Sequence, residues 1–134
     1  MRCLIFTAAG RRCALPVEHV VETMRARPLE PVNDAHPFVA GIARIRGAPA
    51  TVVDLALLAF GVATSSCKRV VTVRVEGERM LALAVEAVEG IAELDRAGEL
   101  PPMFESDVLS SVAFAGPAIV FVLRAARVLE RASA

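Results

Sequence analysis

The sequence predicts a mainly β chain folded as two packed lobes of five short strands each, with short helices. Three observations lead there. The chain repeats itself weakly at an offset of 67 to 69 residues: Gly10, Val17-Glu18-His19-Val20 and Gly47 recur as Gly77, Val85-Glu86-Ala87-Val88 and Gly116. Self-similarity of this kind sets architecture before local propensity does. The apolar residues fall in short runs that alternate with polar ones or end at glycine, the pattern of half-buried antiparallel strands. Five such strands close best when rolled into a small barrel or curled sheet, which leaves the fewest open edges. The expected organisation is one domain over 1–134, its two pseudo-duplicated lobes being the approximate halves 1–66 and 67–134.

In the first unit, Leu4-Ile5-Phe6-Thr7 and Cys13-Ala14-Leu15 read as strands about a tight turn at Gly10. A bend over Val17-Glu18-His19-Val20 leads to another short strand, and a polar, Pro-rich loop covers 27–37. Phe38 to Leu58 then reads as two strands joined at Gly47-Ala48-Pro49 and running into a short amphipathic stretch. Arg44 and Arg46 alternate with Ala43 and Ile45, so both guanidinium groups are expected on one face of a strand whose other face is buried. Asp54, ahead of Leu55-Ala56-Leu57-Leu58, reads as a helix N-cap. Residues 61–68 are the only linker-like stretch and are too short to separate independent domains. A shared interface with a cleft between the lobes is the expectation. The second unit repeats the order: strands about Gly77, a bend near Glu86, a loop over 95–107, strands about Gly116 and a closing helix over 124–131.

Fifteen basic and fifteen acidic residues give a formal net charge of zero, and Lys68 is the one basic residue that is not arginine. A chain without a net field draws neither nucleic acid nor an anionic membrane, and six Phe with no Tyr or Trp make a thin platform for stacking bases. Cys3, Cys13 and Cys67 lack CxxC spacing and form no disulfide framework, which points to a reducing compartment. The apolar run after Met1-Arg2 is short and ends in Gly10-Arg11-Arg12, so it reads as a strand rather than a signal peptide. The longest uncharged run, 108–123, is shorter than the roughly 20 residues a membrane span requires.

Groups for catalysis are scarce. His19 and His36 have no HExxH spacing, Ser65-Ser66 and Ser110-Ser111 have no nucleophile-elbow context, and there is no glycine-rich phosphate loop. No catalytic residue, cofactor site or metal site is assigned. Cys67, next to Lys68 and Arg69, is a candidate for a lowered thiol pKa. An enzyme or small-molecule binder using Cys67 or His19 in the inter-lobe cleft is the alternative class. One pair stands out in the duplicated frame: where the first unit has Glu22 and Arg46 the second has Gly90 and Ala115. Joint loss of both charges is what a mutual salt bridge predicts.

Phe6 with Gly10, Leu15-Pro16-Val17, Val20-x-Glu22, Gly41-Ile42-x-x-Ile45-Arg46-Gly47 followed by Val52-Val53-Asp54-Leu55, and Leu83-Ala84-Val85-Glu86-x-Val88 together resemble the CheW-like domain, the coupling module of bacterial chemotaxis signalling. The resemblance covers nearly the whole chain, and the arginine-glycine segment before Val-Asp-Leu is its specific part. It implies two intertwined five-stranded SH3-like β-barrels. It implies a non-catalytic, cytoplasmic adaptor without cofactor, recruited to membrane receptor arrays. Its partners would be the regulatory domain of a CheA-type histidine kinase and the cytoplasmic tip of a chemoreceptor, with no nucleic acid and no membrane insertion. On this chain the implied contact residues are Val20, Val21, Glu22, Arg44, Arg46 and Gly47, near the groove between lobes. Arg44 stands where the family often has asparagine, Ala56 where a basic residue is usual, and Glu86 in place of aspartate. An adaptor of a pathway other than motility, keeping one partner surface, is the alternative within the same class.

Overall fold

A computed structural model describes residues 1–64, 66–74, 80–104 and 106–133; the expected turn at Gly77 lies outside them. The strands are β1 (Arg2–Ala8), β2 (Arg11–Pro16), β3 (Val20–Arg25), β4 (Val39–Ile45), β5 (Ala48–Asp54), β6 (Arg69–Val73), β7 (Leu81–Val85), β8 (Ala87–Glu93), β9 (Asp95–Gly98), β10 (Leu109–Ala115) and β11 (Ala118–Leu123). Helix α1 (Leu55–Phe60) follows β5, and α2 (Ala125–Ser133) follows β11. Single 3-10 turns stand at Val17–His19 and Pro102–Phe104.

Two sheets result, ordered β8-β1-β2-β11-β10-β9 and β3-β6-β7-β5-β4. The first has six strands where five were expected. Its extra member is the short β9, inside the stretch read as a loop, which pairs with β10 from Phe114↔Asp95 to Val112↔Gly98. Its two edge strands, β8 and β9, are joined through Leu94 alone, so the sheet must curl until its edges adjoin.

The sheets do not coincide with the halves 1–66 and 67–134. Hairpin β1-β2 lies with β8 to β11 of the second half, and hairpin β6-β7 lies with β3 to β5 of the first. The joints are parallel pairs, Phe121↔Cys13 in one sheet and Val53↔Leu83 in the other. Parallel neighbours cannot be linked by a tight turn, so they come from distant parts of the chain. Periodicity within a strand records which face it buries, not which strand it pairs with.

The duplication is visible in register. β3 skips Val21 between Val20↔Val73 and Glu22↔Thr72, and β8 skips Glu89 between Phe6↔Val88 and Ile5↔Gly90. Likewise Val39↔Val53 and Gly41↔Val52 match Leu109↔Leu123 and Ser111↔Val122, at an offset of 70. This offset makes Gly116, not Ala115, the counterpart of Arg46. Matching glycine to glycine in the sequence misled by one position, because the second turn places its glycine first, as Gly116-Pro117.

Three apolar clusters follow from the alternation. Cys3, Ile5, Ala14, Leu94, Ala113, Val120 and Val122 fill one sheet, and Ala43, Ile45, Ala50, Val52, Val70, Ala82 and Ala84 fill the other. Alanine suits the narrow bore of a small barrel. The third and largest cluster lies between the sheets, where Phe6, Leu15, Val53, Val71 and Leu83 meet Leu55 and Leu58 of α1 and Val128 and Leu129 of α2. Asp54 caps α1 as expected, accepting from Leu57 N at 3.3 Å. Gly61 ends that helix at φ 72, its N–H reaching Leu57 O at 3.0 Å.

Candidate functional site

The β4-β5 connection is a two-residue turn, Arg46-Gly47, with Ile45 paired to Ala48. Both turn residues have positive φ, 54° and 78°, as the right-handed twist of a hairpin demands. Arg46 therefore does not share a strand face with Arg44; it stands at the tip, while Arg44 is exposed within β4, opposite Pro49. Alternation placed Arg46 on a strand because it carries no record of backbone handedness. Ala48 and Pro49, expected in the turn, belong to β5.

Arg46 Nε donates to Glu22 Oε2 at 2.9 Å. The two edge strands of the five-stranded sheet, β3 and β4, are thereby latched across its open seam. Arg46 is 76% exposed and Glu22 27%. A pair so wetted contributes about 0–1 kcal/mol of stability. Its effect is to hold the guanidinium in place, and among the described residues the two terminal nitrogens of Arg46 carry no hydrogen bond.

Glu22 is itself positioned by a residue that the sequence analysis passed over. The Thr72 hydroxyl, fully buried on β6, accepts from Glu22 N at 3.1 Å and donates to Glu22 O at 3.2 Å, closing the ladder where β3 bulges. A lone threonine in Arg69-Val-Val-Thr-Val was the available signal. The bulge turns Val21 outward, 45% exposed, while Val20 packs against the central cluster. Beside the latch, Arg44, Gly47, Pro49, Ile42, Ala43 and Glu30 line a shallow apolar hollow of about 270 Å³.

The larger cleft, about 480 Å³, lies elsewhere. It sits where the end of α1 meets Met103, Phe104, Ser106, Asp107 and Arg131 of α2, and none of the six predicted contact residues lines it. Its charged groups are engaged: the Arg11 guanidinium lies 4.8 Å from the Phe60 ring centre and 5.3 Å from that of Phe104, and Arg131 bonds Asp107 at 2.8 Å.

His19 and Cys67 do not converge. His19 O accepts from Arg74 N just past one end of β6, and Cys67 precedes the other end, about 20 Å away along extended chain. Burial raises the Cys67 thiol pKa, with Asp54 adding to the rise, so the expected lowering by Lys68 and Arg69 is reversed. Burial pushes Cys13 from 9.0 up to about 12. A thiol that ionises more easily unfolded stabilises the fold below pH 9.0 and loses that contribution between there and about 12. A thiol reagent at neutral pH should therefore modify Cys67 slowly, and Cys3 and Cys13 only on unfolding. Rapid modification of all three in the native protein would contradict this.

A model of the CheW-like domain family matches residues 2–133. No curated protein matches the chain. Among solved structures, the crystal structure of scaffolding protein TtCheW from Thermoanaerobacter tengcongensis is similar, with a TM-score of 0.77 and 21% identity. The similarity covers 92% of this chain and 88% of that one. At that identity it speaks for the fold: two lobes of the SH3-like kind.

Proposed function

The chain belongs to the CheW-like domain family, the scaffolding module of chemotaxis signalling, and from that premise we propose that it couples the cytoplasmic tip of a chemoreceptor to the regulatory domain of a CheA-type histidine kinase. It works without turnover, in the cytoplasm, at receptor arrays. Glu22, Arg44, Arg46 and Gly47, with Val20 and Val21 alongside, form one of its contact surfaces.

The observation that carries this reading is the latched turn. An arginine held by Glu22 at 2.9 Å, on a two-residue hairpin, adds little to stability yet is presented to solvent in a fixed place. A preordered guanidinium loses less freedom on binding than a mobile one. A second feature supports two unlike contacts: at the matching hairpin of the other sheet, Phe114 and Ile119, 48% and 57% exposed, occupy the positions of Arg44 and Pro49. The two tips are related by the duplication but differ in chemistry, as an adaptor between different partners requires.

Arg46→Gly is the test. Glycine accepts φ 54° without strain, which offsets the lost ion pair, and the melting temperature should stay within a few degrees. Binding to the kinase regulatory domain or to the receptor tip should weaken by about 2 kcal/mol, roughly 30-fold. Unchanged binding to both, measured by calorimetry, would remove Arg46 from the interface. Loss of one contact alone assigns the latch to that partner.

A further inference from the structure

The chain neutralises the charges along one sheet edge and, among the described residues, leaves those at the end of another without an ion pair. On β8, Glu89 bonds Arg12 at 2.9 Å and Glu93 bonds the Met1 ammonium at 3.1 Å. The positions on and after β3 that match Glu93 and Asp95, at the offset of 68 set by the paired bulges, are Arg25 and Arg27. Arg25 stands directly opposite Arg69 in the β3-β6 ladder, and Ala26 N bonds Lys68 O at 3.0 Å in the next rung. By alternation Arg25, Arg27 and Arg69 share one face at the end of the ladder, and Lys68 stands on the next rung, facing the other way. Among the described residues none of them has an ion pair. Among the described residues Arg69 Nε is buried with no hydrogen-bond partner, and Arg69 Nη2 donates to Thr23 Oγ1 at 3.5 Å. Like charges at directly opposed positions destabilise a sheet.

The backbone there is open as well. Since the 26–68 rung is a hydrogen-bonded one, alternation turns the N–H and C=O groups of Thr23 and Arg25 away from β6. Among the described residues these groups meet no other strand.

We propose that this edge is a docking site for an extended acidic segment of a partner protein, its carboxylates facing Arg25, Arg27 and Arg69 and its main chain bonding the outer edge of β3. The site lies at the far end of β3 from the Glu22 latch and does not depend on the family reading. Opposite charge offsets the repulsion between Arg25 and Arg69, and added strands of this kind take affinity from backbone bonds and selectivity from alternate side chains.

The experiment uses the full chain and a short fluorescein-labelled peptide alternating Glu and Val, followed by anisotropy at several salt concentrations. Binding should weaken as salt rises and fall at least about tenfold in Arg25→Glu/Arg27→Glu, whose sites are exposed and whose circular dichroism should not change. A peptide N-methylated at alternate positions should bind as weakly as that variant does to the parent peptide. No peptide binding, binding indifferent to the charge reversal, or equal binding of the N-methylated peptide would overturn the proposal. Preference for phosphatidylserine vesicles over the peptide, or self-association that reversal abolishes without any peptide binding, would replace it with a lipid or a second copy as occupant.

Discussion

Gly41→Ala is expected to lower stability by about 3 kcal/mol, which for a chain of this length lowers the melting temperature by roughly 10 °C. Gly41 has φ 151°, a conformation that side chains rarely adopt, and a Cβ there would stand 2.6 Å from the backbone oxygen of Glu30. That oxygen cannot swing aside. It accepts from Ile42 N at 2.9 Å while Glu30 N donates to Ile42 O at 2.8 Å, and this reciprocal pair fastens the 27–37 loop to β4. Gly90→Ala is the control, because Gly90 also has positive φ, 129°, but no atom within 4 Å of an added Cβ. Gly41→Ala should cost clearly more. Equal losses in thermal melts would assign the whole effect to dihedral strain and none to Glu30.

The second large effect concerns Asp54. Its carboxylate accepts from Leu57 N, from Thr64 N at 3.0 Å and from the Thr64 hydroxyl, so one side chain both starts α1 and ties down the chain that leaves it. Asp54→Ala should cost about 2–3 kcal/mol, a lost cap together with bonds to a charged acceptor. Thr64→Val should cost about 1 kcal/mol, and the double variant little more than Asp54→Ala alone, since the two share an interaction. Strict additivity in chemical denaturation would show that the Asp54–Thr64 contact contributes nothing.

The strands were legible as short apolar runs bounded by turns, even where both faces are buried. Cys13-Ala14-Leu15 and 71–73 lie in strands where their apolar runs placed them, and Asp54 caps a helix because a short acceptor before Leu55-Ala56-Leu57-Leu58 has few other uses. The Glu22–Arg46 bond was legible too, through the joint absence of both charges from the second unit, even though the alignment there was off by one residue. Three features were hidden, each for the same physical reason. The bridge from Glu30 to Ile42, the exchange of hairpins and the stitching of Glu22 by Thr72 all join parts of the chain far apart in sequence, and no local pattern encodes them. Arg46 shows a different limit: an apolar-polar rhythm of period two continues into a hairpin turn without marking where φ changes sign.

The traded hairpins bear on how this molecule folds. Val20 meets Val73 and Phe6 meets Val88 across more than 50 residues of intervening sequence, so neither sheet can be completed by one half of the sequence alone. High contact order slows such folding, and each lobe's completion waits on the other's. The adaptor assembles, and unravels, in one cooperative event.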